Sequence, residues 1–316
     1  MSHRIKSTRT DNKAVTIQRD APAAPAWPSY TGTSQFVGTS PSGRVTVYVD
    51  PTLGNQGLQN AQDLVNDADR VANANDGIFG TTGGAVSVIV FALGGATDGT
   101  GGADHMGCDY TTGNAIEVDA SFGNSARVSA LFEAELSECS MNGNLCGEST
   151  GEALSRWCAA AIGNNALSDF ATAPQWYSDG MLDYVNQTDN TDQSADSTGC
   201  GMAFISWMIS QGYGLEKIAP TMVNLGDSGT LARMYATLTG SAAGNAWPNF
   251  QNAVNNLQNG VTNDDPFNGL AQSSRMTGRA PQTAMRPASQ PKPSAVCEPK
   301  SKRLLPPGKT GKRKSA

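Results

Sequence analysis

The order of periodicities along the chain predicts an α+β fold, and three observations carry that prediction. Short β-branched runs are confined to the first 121 of 316 residues. A single long segment of helical period is set between the first two of those runs. Beyond about residue 125 every periodic segment is helical. The expected layout is an N-terminal strand-rich part packed with a mainly helical C-terminal half.

The elements follow in order. RVTVYVD (44–50) alternates and is β-branched, so it reads as a strand. LQNAQDLVNDADRVANANDGIFG (58–80) places Leu58, Ala61, Leu64, Val65, Ala68, Val71 and Ala72 on one helical face, with a stop expected at Gly77. AVSVIVFAL (85–93) is nearly all apolar, as a buried strand requires. A glycine-rich loop (94–113) then leads into a third strand, NAIEVDAS (114–121). Helices are expected over 127–141, GEALSRWCAAAIGN (151–164) and PQWYSDGMLDYVNQ (174–187), the last opening after Pro174. GMAFISWMISQGYG, LEKIAPTMVNLG, TLARMYATLTG and NAWPNFQNAVNNLQNG supply the remaining helical segments.

Composition bounds the domain and its partners. Residues 1–26 are polar and close on a Pro/Ala run, and 268–316 are basic and Pro-rich. Neither holds enough apolar residues to form a core, so both are expected to be disordered, leaving 27–267 as the folded domain. Residues 273–316 carry 11 Lys/Arg against Glu298 alone, whereas residues 21–272 carry 6 Lys/Arg against 25 Asp/Glu, a net charge of −19. An acidic body of that strength repels phosphate backbones, which excludes nucleic acid as its partner; weak polyanion contact is left to the basic tail. No apolar run approaches the ~18 residues of a membrane span. The N-terminus shows no apolar signal-peptide core. The Asn/Thr/Ser/Gly-rich, Lys-poor body and its five cysteines fit an exported bacterial protein, so export is suspected and the localisation stays open. Cys139 and Cys146 bracket a short Gly/Asn loop that a disulfide would close; buried reduced thiols are the competing reading.

Two constellations bear on chemistry. FEAELSE holds Glu133, Glu135 and Glu138; Glu135 and Glu138, three apart, share a helix face beside the apolar stripe of Leu131 and Leu136. A solvated acidic face is the plain reading, but a carboxylate beside a buried stripe needs a partner or a metal. PQWYSDGMLDY places Asp179 and Asp183 four apart on one helix face. Three other motifs are weaker. LGDSGT (225–230) echoes a serine-nucleophile loop without a histidine to act as base. FALGGATDGTGG lacks dinucleotide-binding spacing. His105 and Cys108 in DHMGCD offer only two metal donors.

Taken together and in this order, the segments resemble the gluzincin metallopeptidases of the peptidase MA type. That family carries H-E-x-x-H on one helix and a third zinc ligand on a later P-x-W-x-x-E-G-x-A-x-Y helix. Pro174, Trp176, Gly180 and Tyr184 match the second pattern. The first is degenerate: Ala134-Glu135-Leu136-Ser137-Glu138 replaces both histidines. The resemblance implies a zincin-like fold, Glu135 as general base, Glu138 and Asp179 in ligand positions, and Asp183 with Tyr184 behind them. Glu152 is the rival third ligand, and His105 is a candidate acid, base or ligand from the strand side of the cleft. With only His3 and His105 in the chain, a two-histidine zinc site cannot be assembled. No cofactor is expected in consequence, zinc least of all; an all-oxygen site would suit Ca²⁺ or Mg²⁺. The functional expectation is a catalytically silent module binding peptide or glycan in the old cleft. A hydrolase using Glu135, Glu138 and Asp179 is the alternative.

Overall fold

The computed structural model describes residues 22–95 and 102–271. Both tails outside these ranges, and part of the glycine-rich loop, therefore lie outside the described residues. The architecture is an N-terminal mixed sheet followed by helices, as the periodicities require. Five strands, β1 (Gln35–Thr39), β2 (Val45–Val49), β3 (Val86–Phe91), β4 (Ala103–His105) and β5 (Ala115–Asp119), lie in the order β1-β2-β3-β5-β4. The three inner strands are parallel to one another, and β1 and β4 pair antiparallel at the two edges.

The sheet follows from its alternation. Val45, Val47, Val49, Val86, Val88, Val90, Ile116 and Val118 point to one face and are buried under α1 (Gly54–Phe79) and α2 (Ser125–Cys139). Helix α1 runs through Gly77 and ends only where Gly80 adopts φ 70°, a conformation a glycine reaches without strain. On the opposite face Tyr48, Ile89 and Phe91 pack against Trp27, Tyr30 and Phe36. The end of the Pro/Ala segment is fixed there too, because the Tyr48 hydroxyl donates to the carbonyls of Pro22 and Ala23. Glu117, fully buried among the strands, accepts from Ser29 N, Tyr30 N and Ser29 Oγ, and so ties this segment across the sheet.

The helical half has its own core. Helices α3 (Ser149–Ile162), α4 (Ala173–Ser178), α5 (Ala195–Ser210), α6 (Leu215–Leu225), α7 (Leu231–Thr239) and α8 (Ala246–Asn255) enclose Trp157, Trp176, Phe204, Trp207 and Phe250. Trp176 stacks on Phe250 at 5.7 Å, and Trp157 Nε1 donates to Met202 O. Among the described residues no helix is long and apolar enough to cross a membrane.

Helix α2 joins the two halves and is buried almost all round, against α1, α3, β4 and β5. Asn124 caps it, its side chain accepting from Arg127 N. Glu133, with 0% exposure, shows that the acidic run is no solvated face. Neither of its carboxyl oxygens has a hydrogen-bond partner among the described residues. Burial pushes its pKa well above 4.5, and the charge of Arg70 offsets this only in part. The folded state therefore holds a proton that the unfolded chain releases above pH ~4.5. Stability fully present below that pH falls as pH rises toward the folded value, by about 1.4 kcal/mol per pH unit for one proton. Denaturant unfolding of Glu133→Gln across pH 5 to 8 is expected to lose that slope relative to the parent; equal slopes would clear Glu133 as its source.

Candidate functional site

A cleft of about 730 Å³ opens where β4, α2 and the start of α3 meet, lined among others by Asp104, His105, Glu135, Glu138, Glu152 and Arg156. Each functional side chain comes from a different constraint. β4 pairs with β5 so that His105 lies opposite Ile116, at the edge of the sheet and beside α2. Glu135 and Glu138 project from α2, one helical turn apart, on the side away from Glu133. Glu152 stands in the first turn of α3, where a carboxylate also complements the helix dipole.

The imidazole is the geometric centre. His105 Nε2 is 2.8 Å from Glu138 Oε2 and 3.5 Å from Glu135 Oε2, while Nδ1 bonds Gly107 O. Both nitrogens thus face acceptors, which favours the doubly protonated ring. Burial alone would lower the His105 pKa, but the hydrogen bond and charge of Glu138 outweigh it and the value is raised above 6.5. Glu135 is driven well above 4.5, first by burial and then by the charges of Glu138 and Glu152. Glu152 is raised to about 7 by burial and by Glu138, with Arg156 pulling the other way.

Arg156, one turn beyond Glu152, stands 3.9 Å from its carboxylate and 3.7 Å from Asp264. It also donates to Phe170 O. Asp264 in turn accepts from Thr172 N and Ala173 N at the start of α4, so the back wall of the cleft is one linked set of polar contacts. Asp104 and Asp192 complete a lining in which five carboxylates face one guanidinium and one imidazole. Nothing in the local spacing of Arg156, Asp104 and Asp192 marks them in the sequence as members of the site.

The structure brings Glu135, Glu138, Glu152 and His105 together and leaves three other candidates elsewhere. Asp179 is exposed at the C-terminal end of α4, held by Ser178 and Gln175, and does not line the cleft. The expected helix over 174–187 stops at Ser178, because Gly180 (φ 101°) and Met181 (φ 55°) turn the chain. Asp179 and Asp183 therefore share no helix face. Asp183 caps its own turn, accepting from Val185 N, Asn186 N and Asn186 Nδ2, and Tyr184 follows it there, also away from the cleft. The LGDSGT turn is structural: Asp227 accepts from Leu145 N.

The cysteine pairing also differs from the expected one. Cys146 is bonded to Cys108, 38 residues away, and Cys139 is a free, buried thiol. Cys139 points from α2 toward Gly113 O and the sheet core, so closeness along the chain does not bring it to Cys146. Metal donors can be judged from the same geometry. Ala134 offers none, which leaves one imidazole and the carboxylates. Donor atoms of His105, Cys108 and Glu138 all lie within 4.8 Å of one another, with the sulfur of Cys108 engaged by Cys146.

No family model and no curated protein sequence matches this chain. Among solved structures, native yeast LTA4 hydrolase superposes with a TM-score of 0.38 and 14% identity, over 82% of this chain and 40% of that one. The same yeast protein in complex with bestatin gives a TM-score of 0.32 and 12% identity, over 72% and 38%. The chain thus spans about 40% of that protein's length, and at these scores the likeness decides neither family nor chemistry.

The His105–Glu138 contact makes a direct prediction. Removing the Glu138 charge leaves burial as the main influence on the ring, so the His105 midpoint should fall in Glu138→Gln. With two histidines in the chain, loss of a resonance in His105→Asn assigns the signal, and its NMR titration reads the shift. A midpoint unchanged by Glu138→Gln would mean that the two side chains are not paired in solution.

Proposed function

We propose that the protein hydrolyses peptides in this cleft by acid–base catalysis, on a zincin-like scaffold whose lost helix histidines are replaced by His105 from the sheet. The observation that carries the reading is the approach of His105 Nε2 to both Glu138, at 2.8 Å, and Glu135, at 3.5 Å. Paired titratable groups whose environments push them apart are the usual basis of acid and base roles.

The roles follow from the protonation each site favours. Glu135, held neutral, is the acid that protonates the leaving amine. Glu152, raised to about 7, is the base that takes a proton from the attacking water. The His105 imidazolium, held by Glu138 and Gly107 O through both of its N–H groups, contributes its positive charge to the cleft in which the carbonyl oxygen becomes negative. Water oxygen adds to the carbonyl carbon, the C–N bond breaks, and one proton has moved from Glu135 to the amine while Glu152 holds another. Five carboxylates in the lining favour a peptide with cationic groups over a neutral glycan.

A zinc ion held by two imidazoles does not fit this donor set, because Ala134 contributes no donor and His105 is the single imidazole of the lining. A hard divalent cation such as Ca²⁺ or Mg²⁺ calls for oxygen donors, which in this lining would be the carboxylates of Glu138 and Glu152. Bound there, it would supply Lewis acidity toward a carbonyl oxygen.

Cleavage of a mixed peptide library by the full chain tests the reading, with basic peptides expected to be cut first. The rate should rise as pH passes about 7 and Glu152 ionises, then fall at higher pH as Glu135 loses its proton. Glu135→Gln and Glu152→Gln should each lower kcat roughly 100- to 10,000-fold. Full activity in either variant removes that residue from the mechanism. Peptide binding without cleavage in the parent would restore the silent binding module.

A further inference from the structure

The Cys108–Cys146 disulfide lies in the wall of the cleft, and both cysteines line it beside His105, Glu138 and Gly107. Cys108 is buried, yet its sulfur falls within 4.8 Å of donor atoms on both His105 and Glu138. Three chemically different donors therefore converge on one point, and a single covalent bond keeps the softest of them from acting. A disulfide sulfur is a poor ligand, whereas a thiolate is among the best for zinc.

We propose that reduction of Cys108–Cys146 creates a zinc site made of Cys108 Sγ, a His105 ring nitrogen and a Glu138 oxygen. A sulfur, a nitrogen and an oxygen with one position left for water form a tetrahedral zinc donor set, with Zn–S of about 2.3 Å and Zn–N of about 2.0 Å. A dithiol reductant supplies the chemistry. One of its thiolates attacks the disulfide, the Cys108–Cys146 S–S bond breaks, and its second thiol displaces the remaining protein sulfur. The reductant leaves as its own disulfide, and the two protein sulfurs end as thiols. Zinc binding then releases the Cys108 thiol proton to solvent, together with any proton on the ligating nitrogen.

The geometry favours this site over other thiol pairs in the domain. Cys139, Cys158 and Cys200 are all buried and none lines the cleft, so no second histidine-bearing site competes among the described residues. The chain between His105 and Cys108 is short, and Gly107 within it gives His105 Nδ1 its acceptor. The two ligands therefore need only a small closure. Zinc here would occupy the imidazole and the carboxylate that the acid–base centre uses, so that the reduced, zinc-loaded protein is inactive. That consequence rests on the hydrolase reading; the metal site does not.

The test is zinc titration of the full chain, anaerobically, with the disulfide intact and after reduction and removal of the reductant. Co²⁺ serves as a spectroscopic probe of thiolate ligation. One zinc per chain is expected in the reduced protein, with a thiolate-to-cobalt charge-transfer band, and no comparable binding in the oxidised one. Cys146→Ser leaves Cys108 free without any reductant and should bind zinc as prepared. Loss of a direct ligand in His105→Ala or Cys108→Ser should weaken binding by more than the roughly 100-fold seen when outer partners are lost. Equal zinc binding by oxidised and reduced protein, no binding by either, or undiminished binding in His105→Ala would overturn the proposal. Failure of the oxidised protein to cut peptides would sink the hydrolase reading alone and leave the zinc result standing.

Discussion

Helix α2 is enclosed on nearly all sides, and most of what is unusual in this protein follows from that confinement. A helix between a sheet and a second layer of helices has little water-facing surface to carry charge, yet this one carries three glutamates. Glu133 is sealed between α1 and α3 without a hydrogen-bond partner. Glu135 and Glu138 escape the same fate only because the cleft opens on their side and His105 reaches them from the sheet. Burying an unpaired carboxylate costs several kcal/mol, so the acid form or an ion pair is forced at each position. The perturbed side chains of the cleft are thus a product of layer packing before they are a product of any function.

The same confinement explains why the imidazole comes from a strand. A histidine on β4 approaches α2 across the layer boundary rather than along the helix, so its position depends on strand register. Only three residues of β4 pair with β5, which is a weak anchor for a functional group. The Cys108–Cys146 bond compensates: it joins the loop just after His105 to the loop just after α2. Arg156 performs the matching task on the other wall, linking Glu152 to Asp264 and Phe170 O. One covalent bond and one guanidinium thus hold the two sides of the cleft at their spacing.

Legibility in the sequence followed the length and regularity of each element. The buried runs of β2 and β3 and the long period of α1 announce themselves, because burial on a flat or cylindrical face repeats many times along the chain. β1 is five residues with a register shift between Phe36 and Gly38, and β4 is only the triplet Ala103–His105, so neither repeats enough to be seen. The start of α4 is legible in Pro174 and Trp176, but its end is set by positive φ angles at Gly180 and Met181, and Met181 carries no such signal in its residue type. That one turn moves Asp179 out of the site. Cys139 and Cys146 looked paired because they are close in sequence, while the fold directs one to the core and the other to the cleft.

The site itself was half legible for a related reason. Glu135 and Glu138 lie on one helix, where spacing alone fixes that they share a face. Their partners come from β4 and α3, and which distant residues meet a helix face is decided by the order of strands in the sheet, β5 next to β4, not by any local pattern. β4 lies at the edge of the sheet with α2 packed beside it, and His105 reaches the last turns of α2 from there. One imidazole thus meets two carboxylates of α2. With no histidine on α2 itself, the charged centre takes its imidazole from β4, the last strand of the sheet.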